Sequence, residues 1–320
     1  MTLVLTLRDK GYILQVTDRL LTKQGAPVDP LANKNILFHG RNGIVTLGYT
    51  GWAYLEGIPT DQWIAEKLTG QEYDRNKTEH GFGFNPPEPS LDIGLSVLRL
   101  REALQTMSNG LSSRWQEAWK KDRFAILLGG CQWNSKGRVR PILGVVLKPR
   151  RSDQFHVIWE ERNNYLFAKN PYTVSHEPLG NMKIEERKHL LGKLRAAQNW
   201  DQAEAALIST VHDVARRTPI VGAHCMSILI TPPAIGKVRV RFVPALPQMA
   251  RLTSNAGEEL EVPIAFSPWF IGPNLNWSPA VLTGGNWSMQ IGNYNLSLEA
   301  PRPSSGPLYG FLRSQPRPKL

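Results

Sequence analysis

Cysteine is almost missing from this chain. Two residues, Cys131 and Cys225, occur in 320, and no Cys-x-x-Cys spacing exists for a metal or redox site. So low a count points to the cytoplasm, with both thiols reduced. Long apolar runs are missing too. No stretch reaches the 18 or so apolar residues of a membrane-spanning helix, so no membrane association is expected. The N-terminus has no basic segment followed by an apolar one, so no signal peptide is expected. The seven histidines form no His-x-x-x-His, and neither a Walker loop nor a Rossmann glycine pattern is present. No cofactor and no metal ion are expected. Acidic charge is scarce: 27 acidic against 38 basic residues leave a net charge of +11. That excess permits attraction to polyanions, but it is dispersed. Local clusters are Lys148-Pro149-Arg150-Arg151, the pair Arg239 and Arg241, and the tail 313–319. No nucleic-acid motif accompanies them, so a solvated basic surface is the reading and nucleic acid is not an expected partner.

What is present is a chain of 41% apolar residues, enough for a large core. Residues 3–7 and 12–16 are β-rich runs around a polar turn with Gly11, the pattern of a hairpin. Residues 36–38 and 44–50 form a second pair around Gly40-Arg41-Asn42-Gly43. A helix is expected from Thr60, read as its cap, with Trp63, Ile64 and Leu68 on one face. Residues 71–90 read as a long loop rich in Gly and Pro. A helix from Ser90 repeats Ile93, Val97, Leu100, Leu104 and Met107 at helical spacing. A further short helix is expected around residues 115–119. Strands follow at 124–128, 142–147 and 155–159, then irregular chain, then helices at 185–194 and 200–216. The last strands of this part are 226–230 and 238–243. His224 and Cys225 are adjacent, so in a strand they point to opposite faces, and Cys225 reads as a core residue.

Runs of strands and runs of helices, rather than strict alternation, argue against a doubly wound parallel sheet. The fold class expected is α+β: two antiparallel sheets packed together with helix layers outside, over residues 1–243. Beyond Pro244 the chain turns rich in Pro, Asn, Gly and Trp. Residues 244–320 are expected as a loop-rich C-terminal extension outside the sandwich. Segments 259–266 and 287–298 could be strands, and the Pro/Ser/Arg-rich tail 301–320 reads as disordered or wrapped on the surface.

The N-terminus carries the candidate chemistry. A hydroxyl is a poor nucleophile until a base takes its proton. If Met1 is removed, the α-amine of Thr2 lies beside its own hydroxyl, and an α-amine titrates at about 7.7–8.0. A nearby lysine would hold the amine neutral by like-charge repulsion. A buried carboxylate would orient that lysine, and a glycine turn could offer N–H groups to an oxyanion. Asp18 follows the second strand, Lys34 comes about one strand later, and Thr50-Gly51 closes the fourth.

In this order the residues resemble the N-terminal-nucleophile hydrolases, in particular proteasome β-subunits and the bacterial ATP-dependent peptidase related to them. The matching positions are Thr2, Asp18, Thr22, Lys34 and Thr50-Gly51. Intervals from Thr2 to Asp18 and Lys34 agree without a gap, while Gly51 needs a short insertion. The likeness is good over residues 2–55, loose to about 232 and absent beyond. It implies a four-layer αββα sandwich and a threonine-type amidohydrolase or peptidase. Thr2 would be nucleophile and, through its amine, base. Lys34 would tune the amine, Asp18 would position Lys34, and Gly51 would supply an oxyanion N–H. On that view Lys34→Ala should remove activity while changing stability little. The resemblance also implies a peptide or amide substrate, homo-oligomeric assembly and an ATPase or regulatory partner. The alternative is a catalytically inactive scaffold or regulatory protein of the same architecture, acting through residues 71–90 and the C-terminal extension. Three departures bear on it. Arg19 adjoins Asp18, and Leu20 stands where the family often has arginine. Ser175 is a weak stand-in for the serine of the Gly-Ser-Gly loop. Thr218-Pro219-Ile220-Val221-Gly222 replaces the Asp and Ser that support the amine.

Overall fold

The computed structural model describes residues 3–9, 11–23, 26–29, 32–73, 91–159, 170–173, 183–243, 249–253, 259–263, 265–272, 275–277, 281–282 and 286–299. The chain opens with β1 (Val4–Arg8) and β2 (Ile13–Asp18), then a small pair, β3 (Leu21–Lys23) and β4 (Ala26–Asp29). Next comes the hairpin β5 (Asn35–Gly40) and β6 (Gly43–Thr50), in which Gly40 faces Gly43 across a two-residue turn. A short pair, β7 (Tyr54–Leu55) and β8 (Ile58–Pro59), leads into α1 (Thr60–Thr69). Thr60 is the first residue of that helix rather than its cap. Pro59 takes the cap position, and the Thr60 hydroxyl donates to the Trp52 carbonyl at 2.8 Å.

Helix α2 (Ile93–Gly110) begins three residues later than Ser90, because the Asp92 carboxylate caps it by accepting from the Leu95 amide at 3.1 Å. After α3 (Ser113–Lys121) come β9 (Phe124–Trp133), β10 (Val139–Lys148), β11 (His156–Trp159) and β12 (Asn170–Thr173). Helices α4 (Ile184–Ala196) and α5 (Trp200–Arg217) precede β13 (Cys225–Ile230) and β14 (Lys237–Val243). The remainder is β15 (Met249–Thr253), β16 (Glu259–Pro263), β17 (Ala265–Phe266), β18 (Trp269–Gly272), β19 (Leu275–Trp277), β20 (Val281–Leu282), β21 (Asn286–Ile291) and β22 (Tyr294–Glu299). The segment expected as one strand over 287–298 is thus a hairpin, turning where Gly292 adopts φ 53°. Ser175, the tail 301–320 and most of the loop 71–90 lie outside the described residues.

Two seven-stranded sheets result, in the orders β12-β1-β2-β13-β14-β22-β21 and β11-β10-β9-β6-β5-β18-β19. Neighbours within them are antiparallel except β14–β22 and β5–β18, which are parallel. The main-sheet pairings within residues 1–243 are antiparallel, as expected, and the two parallel junctions join strands from beyond residue 243 to them. A hairpin can deliver only an antiparallel neighbour, whereas a strand that returns by a long connection is free to run either way.

Side-chain alternation along the strands sorts into buried clusters. Val45, Leu47, Tyr49, Phe124, Ile126 and Leu128 share a cluster with Trp63, Val97, Leu100 and Trp119 of α1–α3. Leu5, Leu7, Leu14 and Val16 share another with Leu190, Leu194, Leu207 and Val211 of α4 and α5. The intervening positions meet across the sheets: Ile13, Met226, Ile228 and Val240 of one with Leu37, Ile44 and Leu143 of the other. Each such side chain, fully buried, contributes about 1.5–3 kcal/mol of transfer free energy. Burial on both faces explains why β2 and β13 are buried at every position. Among the described residues, no helix is long and apolar enough to cross a membrane.

The chain after residue 243 does not all stand outside this arrangement. Strands β22 and β21 extend one sheet beyond β14, and β18 and β19 extend the other beyond β5. Phe270, Ile291, Tyr294, Leu296 and Leu298 are buried in the cluster common to both sheets. Removal of residues 244–320 should therefore expose the edges of β14 and β5 and a strip of apolar core. The expected outcome is loss of cooperative unfolding and strong binding of a hydrophobic dye. A truncated protein that unfolds in one sharp transition with the stability of the full chain would count against integral strands.

Candidate active site

Strand geometry gathers the candidate residues at one end of both sheets. Pairing of β1 with β2 sets Val4 opposite Thr17, so the next pair outward is Leu3 and Asp18. Their backbones are linked, Asp18 donating its amide to the Leu3 carbonyl at 3.1 Å. Pairing of β5 with β6 sets Asn35 opposite Gly48. One step further out, the Tyr49 amide donates to the Lys34 carbonyl at 3.2 Å. Thr50 and Gly51 come next along the same strand end.

Asp18 and Lys34 form an ion pair, Nζ to Oδ2 at 3.1 Å, with both side chains wholly removed from solvent. The Lys34 ammonium also donates to the Leu20 carbonyl at 2.5 Å. Around the Asp18 carboxylate, the Leu3 amide donates to Oδ1 at 2.6 Å, and the Leu20 and Gly222 amides donate to Oδ2 at 3.2 and 3.0 Å. Three separate stretches of backbone thus solvate one charge. Burial pulls the Lys34 ammonium below its ordinary range; Asp18 opposes this most strongly and Asp29 adds to the opposition, while Arg19 reinforces the lowering. A lysine whose charge is destabilised by burial and restored by one carboxylate is a tunable cation rather than a solvated one.

Gly51 follows β6 directly with φ at +120°, a conformation that side-chain-bearing residues rarely adopt. Space there is short as well, since a β-carbon would lie 2.9 Å from the Arg123 carbonyl. Thr22 sits on β3, where the register with β4 shifts between Leu21 and Thr22. Thr2 lies outside the described residues. Of the four candidates, then, Asp18 and Lys34 touch, Gly51 is at the same strand end, and the peptide nitrogen that follows Thr2 in the chain is the Leu3 donor to Asp18.

Two contributors escaped sequence reasoning. Leu20, read only as a departure, acts through its carbonyl and amide, which carry no residue signature. Gly222, in the stretch read as replacing the amine's support, supplies an N–H to Asp18. Its requirement for glycine is steric: a β-carbon would lie 2.6 Å from Cβ and 3.0 Å from the amide nitrogen of Leu20. Cys225, at the start of β13, is buried with its thiol donating to the Ala223 carbonyl at 3.5 Å, and burial raises its pKa. Among the described residues, no group of three or more His, Cys, Asp or Glu could hold a metal ion.

No family model and no curated protein matches the sequence. Among solved structures, the fold is similar to Anbu from Yersinia bercovieri, described as an ancestral β-subunit. That comparison has 13% identity and a TM-score of 0.45, covering 72% of this chain and 82% of that one. Two forms of Anbu from Hyphomicrobium sp. strain MC1, one of them a mutant, give 12% identity over the same shares, with TM-scores of 0.45 and 0.44.

Full burial revises the expectation that Lys34→Ala leaves stability nearly unchanged. Removing one member of a buried pair strands the other charge, at a cost of about 3–5 kcal/mol. Lys34→Met and Asp18→Asn should each lower the unfolding free energy by that order, and the double variant should lose less than their sum. Gly222→Ala should cost about 1–3 kcal/mol by displacing Leu20. Guanidinium unfolding monitored by tryptophan fluorescence checks all four variants. Single variants as stable as the wild type would show that the pair is not held as described.

Proposed function

We propose that this protein is a proteasome-like threonine amidohydrolase or peptidase on a four-layer αββα sandwich, with Thr2 as nucleophile once Met1 is removed. The observation that carries this reading is the buried Asp18–Lys34 pair tied to the Leu3 amide. The carboxylate that holds the lysine also holds the first described peptide nitrogen after Thr2. The layered architecture is supported by the division of buried residues into one helix-facing cluster per sheet and a cluster common to both.

In this mechanism the Thr2 amine, neutral near its reference pKa of about 7.7–8.0, accepts the proton of its own hydroxyl. Proximity costs no loop ordering because both groups belong to one residue. The hydroxyl oxygen attacks the carbonyl carbon of a peptide or amide, and the Gly51 N–H stabilises the oxyanion. Collapse breaks the C–N bond, the leaving nitrogen takes the proton from the ammonium, and water then hydrolyses the ester. Lys34 keeps the amine deprotonated by repulsion, and Asp18 with the Leu20 carbonyl keeps Lys34 in place.

As units of sequence, residues 1–243 form the hydrolase-like part and 244–320 an addition to it. A cytoplasmic location, homo-oligomeric assembly and an ATPase or regulatory partner belong to the same proposal.

Intact mass of protein purified from its native host should show loss of one methionine. An epoxyketone or β-lactone should add once per site. Thr2→Ala should abolish the adduct and Thr2→Ser should retain part of it. Lys34→Arg should slow it by about 100-fold or more. A protein that keeps Met1 and forms no adduct at Thr2 would instead be an inactive scaffold.

A further inference from the structure

The segment 265–271 touches both strand ends that carry the ion pair. Strand β18 lies parallel to β5, with Trp269 opposite Ile36 and Phe270 opposite Leu37. From this position Trp269 donates its indole N–H to Asp61 Oδ2 at 3.0 Å, and Asn33 donates its side-chain amide to the same oxygen at 3.1 Å. Asn33 immediately precedes Lys34. All three side chains are buried, Trp269 at 3%, Asp61 at 2% and Asn33 at 0% exposure. The second contact reaches Arg19, which immediately follows Asp18. Its guanidinium donates to the Phe266 carbonyl at 3.3 Å and to the Ala32 carbonyl at 3.4 Å. It also lies 5.4 Å over the ring of Phe242.

An aspartate in the first turn of a helix has an ordinary role, since it meets the positive end of α1. That role does not require a donor from Asn33, nor one from a strand more than 200 residues away. A carboxylate with both donors fixes the distance between the C-terminal strand and the turn that presents Lys34. Arg19 does the same for the turn that presents Asp18. Both charges are fully buried, so their separation depends on how firmly those two turns are held.

We propose that the segment 265–271 is a working part of the candidate site, with Trp269 a positioning residue that acts on Lys34 through Asp61 and Asn33. This rests on the reading that Lys34 serves the Thr2 nucleophile. The geometric coupling of Trp269 to Lys34 can be measured without it.

Trp269→Phe removes the indole N–H and keeps a ring against Tyr73, whose own ring lies 5.3 Å away and edge-on. Phe270→Leu, on the same strand but within the cluster common to both sheets, controls for weakened packing alone. In the full chain with isotope-labelled lysine, the titration of the Lys34 ammonium is followed by NMR, beside the rate of epoxyketone addition. Trp269→Phe should raise the Lys34 midpoint by about one unit as water gains access and slow addition about tenfold. Phe270→Leu should leave the Lys34 midpoint in place even where its unfolding temperature falls as far. An unchanged Lys34 midpoint in Trp269→Phe, or an equal shift in both variants, overturns the proposal. If the wild type forms no adduct but Trp269→Phe still moves the midpoint selectively, the positioning stands and the nucleophile assignment falls.

Discussion

A fully buried lysine facing a fully buried aspartate is the constraint on which the rest of this structure turns. Moving two charges out of water costs several kcal/mol each, and their attraction repays that only when the remaining polar atoms are also satisfied. Here they are satisfied by backbone. The amides of Leu3, Leu20 and Gly222 point at the carboxylate, and the Leu20 carbonyl points at the ammonium. The start of β1, the turn after β2, the approach to β5 and the lead-in to β13 must therefore meet at one place. A hydrophobic pair could fill the same volume with fewer demands.

The same convergence explains the C-terminal strands. Of the main-sheet strands before residue 244, β14 and β5 lie outermost on one side of the two sheets. Parallel addition of β22 to β14 and of β18 to β5 removes those edges as open templates for pairing. It also brings the Phe266 carbonyl and the Trp269 indole into range of Arg19 and Asp61. A segment whose composition reads as an appendage thereby seals the core between the sheets and braces the residues beside the two charges.

Elsewhere the structure manages its buried polarity by similar local pairing. Gln15 spans the sheets, donating to the Thr6 hydroxyl at 2.9 Å and accepting from the Thr46 hydroxyl at 3.0 Å. Lys148 is buried against the Trp119 ring, its ammonium donating to the carbonyls of Trp119 and Asp122 at the end of α3. Glu204 of α5 accepts from Arg239 and Arg241 on β14, fastening that helix to its sheet. Each is a buried polar or charged group held by hydrogen bonds within the core.

Periodicity by itself located helices α1–α5 and the longer strands of the first 243 residues, because apolar side chains must recur every 3.6 or every second residue to reach a core. The short strands β3, β4, β7, β8 and β12 escaped it, β12 lying in chain that reads as irregular. The order of Thr2, Asp18, Lys34 and Gly51 was notable in sequence through a family resemblance, and of these the structure brings Asp18 and Lys34 into contact. Three things were decided only by tertiary structure. Nothing local in sequence marks Lys34 as buried, and the Asp18 carboxylate and Leu20 carbonyl that hold its ammonium come from the end of β2 and the turn after it. Leu20 and Gly222 contribute through main-chain atoms, which every residue possesses and no spelling reveals. Trp269 reaches Asp61 only because β18 aligns parallel to β5, a pairing between residues far apart in the chain that no local pattern encodes.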